Sequence, residues 1–252
     1  MKTVVISGAS SGIGLALARY YLERGSIVAA LARRSELLQI LATEFPNKVF
    51  CYSLDVRDAV AIQKAAQDFM SQVGSPDIVI ANAGVSRGTL TEFAEDIDAF
   101  QQVMDINLLG MVKTFQPFLE AMRKSKKGTL VGIASVAGFR GLPGAGAYSA
   151  SKAAAMSYLE SLRVELSGSG LKVVTICPGY IKTPMTEVNP YSMPFILDPN
   201  DAAKRMARII DLGSSFSVIP WQMSFVGRVM KLLPNWLYDL IFKNAPHKPR
   251  NI

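Results

Sequence analysis

Histidine is nearly missing. His247 is the sole one in 252 residues, in a Pro-rich, basic C-terminal stretch where surface solvation is its expected role. A mechanism built on a histidine base is thereby set aside. The two cysteines, Cys51 and Cys177, have no Cys or His neighbour at metal-ligand spacing, so no metal site is expected. Both fall in strand-like runs, and two buried free thiols in a reducing cytoplasm are expected rather than a disulfide. No uninterrupted apolar run reaches the roughly 18 residues of a spanning helix. There is no Ser/Gly linker, low-complexity tract or repeat. A strand already begins at Thr3, so no leader peptide is expected.

Apolar residues make up 50% of the chain and charged ones 19%, which describes a globular protein able to bury a sizeable core. Its length is near the upper limit for one core. The net charge of +7 is not gathered into the basic, aromatic-interleaved stripe of a nucleic-acid binder. A phosphate-bearing small molecule, an anionic membrane and plain surface charge each account for it.

Apolar runs at 3–7, 27–32, 48–54, 77–81, 129–134, 172–177 and 216–219 alternate with helical patterns near 12–24, 35–44, 58–72, 98–124, 148–167 and 200–211. The runs are almost wholly apolar, as in parallel strands covered on both faces. The alternation predicts one doubly wound α/β domain over 1–220, with a seven-stranded parallel sheet. Residues 221–252 break the pattern and read as a helical extension.

After the first strand comes Ser7-Gly8-Ala9-Ser10-Ser11-Gly12-Ile13-Gly14 and then a helix. Glycines there permit a tight turn and let backbone approach a pyrophosphate, which a helix N-terminus favours. A Gly-rich turn required only for packing gives the same pattern. Farther on, Ser135 ends an apolar run, and Tyr148 and Lys152 stand four residues apart at the start of a helical stretch. Positions i and i+4 share a helix face. A fixed ammonium beside a phenol favours phenolate and lowers the phenol's pKa from its usual value of about 10.

That turn, with Asn82-Ala83-Gly84, Asn107, Ser135, Tyr148-x-x-x-Lys152 and Pro178-Gly179 in order, resembles the short-chain dehydrogenase/reductase family from residue 3 to about 185. Departures are small: Ser7-Gly8 where Thr-Gly is frequent, and Ala81-Asn82-Ala83-Gly84 where Asn-Asn-Ala-Gly is. The resemblance implies a nicotinamide dinucleotide cofactor and hydride exchange with a carbonyl or alcohol. Tyr148 would act as general acid/base, Ser135 would orient the oxygen, and Lys152 would lower the Tyr148 pKa and hold the nicotinamide ribose. Asn107 would hold a water in the proton relay; the competing reading is a polar residue that caps or kinks a long helix.

Strand two ends Ala30-Leu31-Ala32-Arg33-Arg34, without the carboxylate that would bind the adenosine ribose hydroxyls of NAD. NADP(H) is therefore expected over NAD(H), with Arg33 first and Arg34 second as 2′-phosphate ligands. Ser10 and Ser11 would add hydroxyl contacts; neither supplies the basic turn residue frequent in NADP-binding members. By resemblance Asp55 and Val56 meet the adenine, although Asp55 reads equally well as a helix N-cap. Asn82-Ala83-Gly84 would pass close to the adenosine ribose. Pro178, Gly179, Ile181 and Thr183 would face the nicotinamide.

Residues 184–199 hold four prolines and read as a lid, with Met185, Tyr191, Met193 and Phe195 as candidate lining. Leu142, Pro143 and Ala145 would form another wall, and an apolar ketone or aldehyde is the expected substrate. The extension carries a net charge of +4 and many large apolar groups, and Pro234 splits it into two short helices. It either caps the pocket or packs on a partner subunit, or it lies on an anionic membrane surface. The stretches 98–124 and 148–167 resemble the family's dimer-forming helix pair, which implies a homodimer or homotetramer, expected in the cytoplasm. Competing with the enzyme are a non-catalytic dinucleotide-binding regulator and a membrane-associated interaction protein on the same fold.

Overall fold

In this computed structural model, residues 1–250 are described. Seven strands form one parallel sheet: β1 (Thr3–Ser7), β2 (Ile27–Ala32), β3 (Val49–Ser53), β4 (Ile78–Ala81), β5 (Gly128–Ile133), β6 (Leu171–Pro178) and β7 (Phe216–Ile219). Their order is β3-β2-β1-β4-β5-β6-β7, so the crossover direction reverses between β1 and β4. The carboxyl ends of strands at such a reversal frame a crevice for ligands.

The sheet is buried on both faces because its strands are Val/Ile/Ala-rich throughout. Helices α1 (Gly12–Leu22), α2 (Ser35–Glu44) and α8 (Pro199–Leu212) are associated with the core that contains Leu17, Leu38 and Met206. Helices α3 (Ala59–Val73), α4 (Asp96–Met104), α5 (Gly110–Ser125) and α6 (Gly146–Glu165) surround the second core. Phe69, Phe115, Phe118 and Leu159 fill it. Pairing places Ile6 beside Ala30 and Ile80, and Val131 beside Val174. Cys51 and Cys177 are free thiols, on β3 and β6 at well-separated positions in the sheet.

One predicted element divides. The stretch 98–124 is not one helix: a π-turn over Asp105–Leu109 separates α4 from α5. It carries Asn107 to full burial. Periodicity misses this because one wider turn adds a single residue to an otherwise helical pattern.

The extension folds as α9 (Trp221–Leu232) and α10 (Asn235–Phe242), broken at Pro234 as expected. It is tied to the domain. Arg140 donates to the carbonyls of Met230 and Leu233 and to Asn235 Oδ1, and the Tyr238 hydroxyl donates to Gly141 O at 2.7 Å. No helix among the described residues is long and apolar enough to cross a membrane.

Candidate active site

The turn after β1 is built from its glycines. Gly8 and Gly12 hold φ of +71° and +54°, which a side chain disfavours. A Cβ on Gly14 would collide with the Gly8 carbonyl oxygen and stand 2.5 Å from Asn82 Nδ2. Asn82 clamps the turn: its Nδ2 donates to Ser7 O at 3.1 Å, and its backbone N–H donates to Ser7 Oγ at 3.1 Å. The cleft above is lined by Gly8, Ser10, Ser11, Gly12 and Ile13, and by Arg33 and Arg34. Asp55, Val56, Asn82, Ala83, Gly84, Ser135, Tyr148, Lys152, Pro178, Gly179, Ile181 and Thr183 complete the predicted set there. Gly14 lies beneath, in α1.

Several expectations change in detail. Arg34, placed second, sits on the turn: its Nη2 donates to Ser10 Oγ at 3.0 Å and Ser11 Oγ at 2.7 Å. It thus brings the cation that the turn's own sequence lacks. Arg33 stands on the cleft rim. Asp55 is not the N-cap of α3; Asp58 is, accepting from the backbone N–H of Val60 and Ala61 at 3.0 Å each. Asp55 instead takes a bidentate pair from Arg57, which holds its carboxyl below the usual range.

Ser135 follows β5 and N-caps a single 3-10 turn (Val136–Gly138), with its Oγ accepting from Ala137 N at 3.2 Å. Tyr148 and Lys152 lie in the first two turns of α6, beside that strand end. Lys152 is buried, its ammonium donates to Ile133 O at 2.9 Å, and it lies 5.8 Å from the Tyr148 ring centroid. Desolvation pulls its pKa down to about 8. Burial pushes the Tyr148 phenol up, against a smaller downward pull from the Ser135 hydroxyl. The net direction for Tyr148 is thus upward, with burial as the largest cause. Sequence spacing brings the two together but carries no measure of the desolvation that penalises both charged forms.

Asn107 spends its side chain on structure. Its Oδ1 accepts from Val85 N at 2.8 Å, and its Nδ2 donates to Val85 O at 2.9 Å and Ser151 Oγ at 3.0 Å. Both amide hydrogens are used. Ser151, one residue before Lys152, went unread because a small polar residue on a helix carries no distinctive pattern.

On the substrate side only Met185 of the candidate lining residues belongs to the cleft wall. Tyr191 packs on Tyr180, with ring centroids 6.5 Å apart, and Phe195 is exposed. Leu142, Pro143 and Ala145 lie outside the wall but are knit into the neighbouring loop: Thr89 N–H donates to Gly144 O, and Ser149 Oγ accepts from Leu142 N. The short helix α7 (Pro184–Glu187) opens the predicted lid. Its N-cap Thr183 abuts the turn, since a Cβ on Gly12 would meet the Thr183 methyl at 3.1 Å.

Residues 247–250 form a strap that sequence reading missed. His247 is exposed, as expected, and its ring also lies over Gly144, where a Cβ would come within 2.6 Å of Cγ. Lys248 is buried and donates to Met185 O at 3.1 Å, with its pKa pulled down to about 8 by desolvation. Pro249 O accepts from Gly88 N–H at 3.0 Å. Arg250 pairs with Asp96 at 2.9 Å and Glu95 at 3.1 Å and lies over the Phe93 ring. The strap so joins three segments, 88–96, 144 and 185, of which Met185 lines the cleft. Pro246 and Pro249, flanking two basic or aromatic groups, were the only signal in the sequence.

Comparison with known proteins agrees with this geometry. The family model described as short chain dehydrogenase matches residues 2–192. An uncharacterized oxidoreductase of Myxococcus xanthus is 39% identical over 241 residues, covering 94% of this chain and 95% of that protein. A 3-oxoacyl-[acyl-carrier-protein] reductase of Thermotoga maritima is 34% identical over 192 residues, covering 75% and 78%. Among solved structures, the closed form of a serine dehydrogenase complexed with NADP+ superposes with a TM-score of 0.79 at 25% identity, covering 86% of this chain and 93% of that one. With a glycine turn under a topological reversal and a Ser-Tyr-Lys group at the neighbouring strand end, the chain belongs to the short-chain dehydrogenase family of oxidoreductases.

Proposed function

We propose that this protein interconverts a carbonyl and an alcohol on an apolar small molecule, using NADP(H), with Tyr148 as the general acid/base. The carrying observation is the convergence of Ser135, Tyr148 and Lys152 at one end of β5, on the wall of the cleft that the glycine turn opens. The residues present suit a dinucleotide. Gly8 and Gly12 line the cleft with backbone that a pyrophosphate can approach, Gly14 lets α1 pack under that turn, and Arg34 stands over Ser10 and Ser11 with its charge available to a 2′-phosphate. The neighbour complexed with NADP+ supports the same choice.

When bound, the cofactor supplies or accepts the hydride. The protein's part is proton transfer and orientation. In the reducing direction the Tyr148 phenol, whose raised pKa keeps it protonated at neutral pH, gives its proton to the developing alkoxide. The Ser135 hydroxyl donates to the same oxygen and fixes its place. Lys152 is held by Ile133 O beside them, where its charge favours negative charge on the phenol once the proton has left. Asn107 secures Val85 and Ser151 and so keeps the loop after β4 against α6. Met185 and Val85 give the wall an apolar character, and the relative named for reducing a 3-oxoacyl group supports the carbonyl assignment.

The test is NADPH oxidation by the purified protein across a panel of ketones, aldehydes and acyl thioesters, read by absorbance. Turnover of at least one carbonyl by wild type and none by Tyr148→Phe is expected. Turnover undiminished in that variant would discard the mechanism.

A further inference from the structure

Helix α9 faces its apolar groups the wrong way for a soluble monomer. Trp221, Phe225, Val229 and Leu232 recur at i, i+4, i+8 and i+11, which is one face of a helix, and all four are exposed. Trp221 is 72% and Leu232 83% accessible. The opposite face is the buried one, through Met223 and Gly227. On α10 the pattern repeats: Tyr238 is buried while Trp236 (69% accessible), Leu240 and Ile241 are exposed. Both tryptophans of the chain thus stand outside the core. Arg228, Lys231 and Lys243 are exposed among these groups, and Asp239 is the sole acidic residue between 221 and 250.

We propose that α9 and α10 form a docking surface for an anionic lipid bilayer, lying in its interface. The apolar stripe would enter the headgroup–acyl boundary, with the tryptophans at the level they favour and the three cations among the headgroups. Spanning is excluded by length: α9 has 12 residues and α10 has 8, or about 18 and about 12 Å, against roughly 30 Å of hydrocarbon. A second copy of the chain fits the charge pattern less well. A two-fold contact sets the same patch against itself, so one surface bearing Arg228, Lys231 and Lys243 with only Asp239 would face another of the same net positive charge. Anionic headgroups complement them. The surface is rigid rather than trailing, because Arg140 and Gly141 hold its two helices. The docking does not depend on the hydride-transfer reading.

Co-sedimentation of the full chain with phosphatidylcholine vesicles, with and without phosphatidylglycerol, tests this. Wild type is expected to sediment with the anionic vesicles and to be released by high salt. The combined variant Trp221→Ser, Phe225→Ser, Leu232→Ser, Trp236→Ser is expected to bind at least tenfold more weakly, with unchanged circular dichroism. Arg228→Gln with Lys231→Gln, which leaves the apolar stripe intact, should weaken binding to anionic vesicles about 30-fold, since each such residue contributes about fivefold near a charged surface. Wild type that stays in the supernatant overturns the proposal. So does binding that both variants retain. Light scattering supplies the remaining outcome: an oligomer that the serine variant dissociates, without lipid binding by wild type, would assign the stripe to a second copy instead.

Discussion

Lys152 hydrogen-bonds the main-chain oxygen of Ile133 at 2.9 Å, the last residue of β5. The lysine reaches from α6 to the strand end from which Ser135 follows, and so fixes the spacing between two of the three groups that would handle the proton. Its ammonium is held in place by a carbonyl rather than by a carboxylate. It remains a cation of adjustable pKa, drawn down to about 8 by burial, rather than one locked into an ion pair.

Replacing Tyr148 by Phe removes the only phenol in this group and leaves the ring's packing. We expect turnover to fall by at least about 100-fold, within the range of lost general acid catalysis. NADPH affinity, read by fluorescence titration, should stay within about threefold of wild type. An equal loss of affinity and turnover would show that Tyr148 serves binding instead.

Arg34→Ala should weaken NADPH binding and leave NADH nearly untouched. A charge-assisted hydrogen bond contributes about 1.5–3 kcal/mol, so the ratio of the two dissociation constants should move by about 10- to 100-fold. Arg33→Ala should have the smaller effect, because only Arg34 is seated on Ser10 and Ser11. Wild-type NADH affinity equal to that for NADPH would contradict the choice of cofactor.

Gly14→Ala places a methyl into the Gly8 carbonyl and the Asn82 amide, both fixed by backbone. The turn must open or the helix must shift. A stability loss of about 1–3 kcal/mol by denaturant titration is expected, as for overpacking elsewhere. Gly146→Ala, at a site with nothing nearby, should be close to neutral and serves as the control.

Lys248 gives a pH signature. Its pKa falls from the ordinary 10.5 to about 8 through desolvation. Below about pH 8 it carries its proton whether the chain is folded or not, and the cost of burying the cation is fully present. Between about 8 and 10.5 the unfolded chain binds more protons than the folded one, so this residue's contribution to stability rises with pH. The melting temperature of wild type minus that of Lys248→Met should therefore increase across that window. A flat difference would mean that the strap leaves Lys248 hydrated.

Much of the molecule could be read from the chain alone, for local reasons. Apolar runs of strand length between amphipathic stretches have few solutions other than a doubly wound sheet. The glycines at 8, 12 and 14, and the four-residue interval from Tyr148 to Lys152, are consequences of turn and helix geometry that any such sequence carries with it. These local patterns specify the β-strands, the glycine turn and which groups share the end of β5.

What lay beyond the sequence depends on distant parts of the chain meeting. That Arg34 seats on Ser10 and Ser11 depends on where β2 sets it relative to a turn 24 residues earlier. The π-turn at Asn107 is decided by Val85 and Ser151, which pair with its side chain from 22 and 44 residues away. The rise at Tyr148 comes from burial, which is a property of the assembled core, and the strap at 247–250 reaches Gly88, Gly144 and Met185 only once the domain has closed. Periodicity and spacing record what a residue does to its neighbours along the chain. Desolvation and long-range hydrogen bonds follow from neighbours in space, which only the tertiary structure assigns.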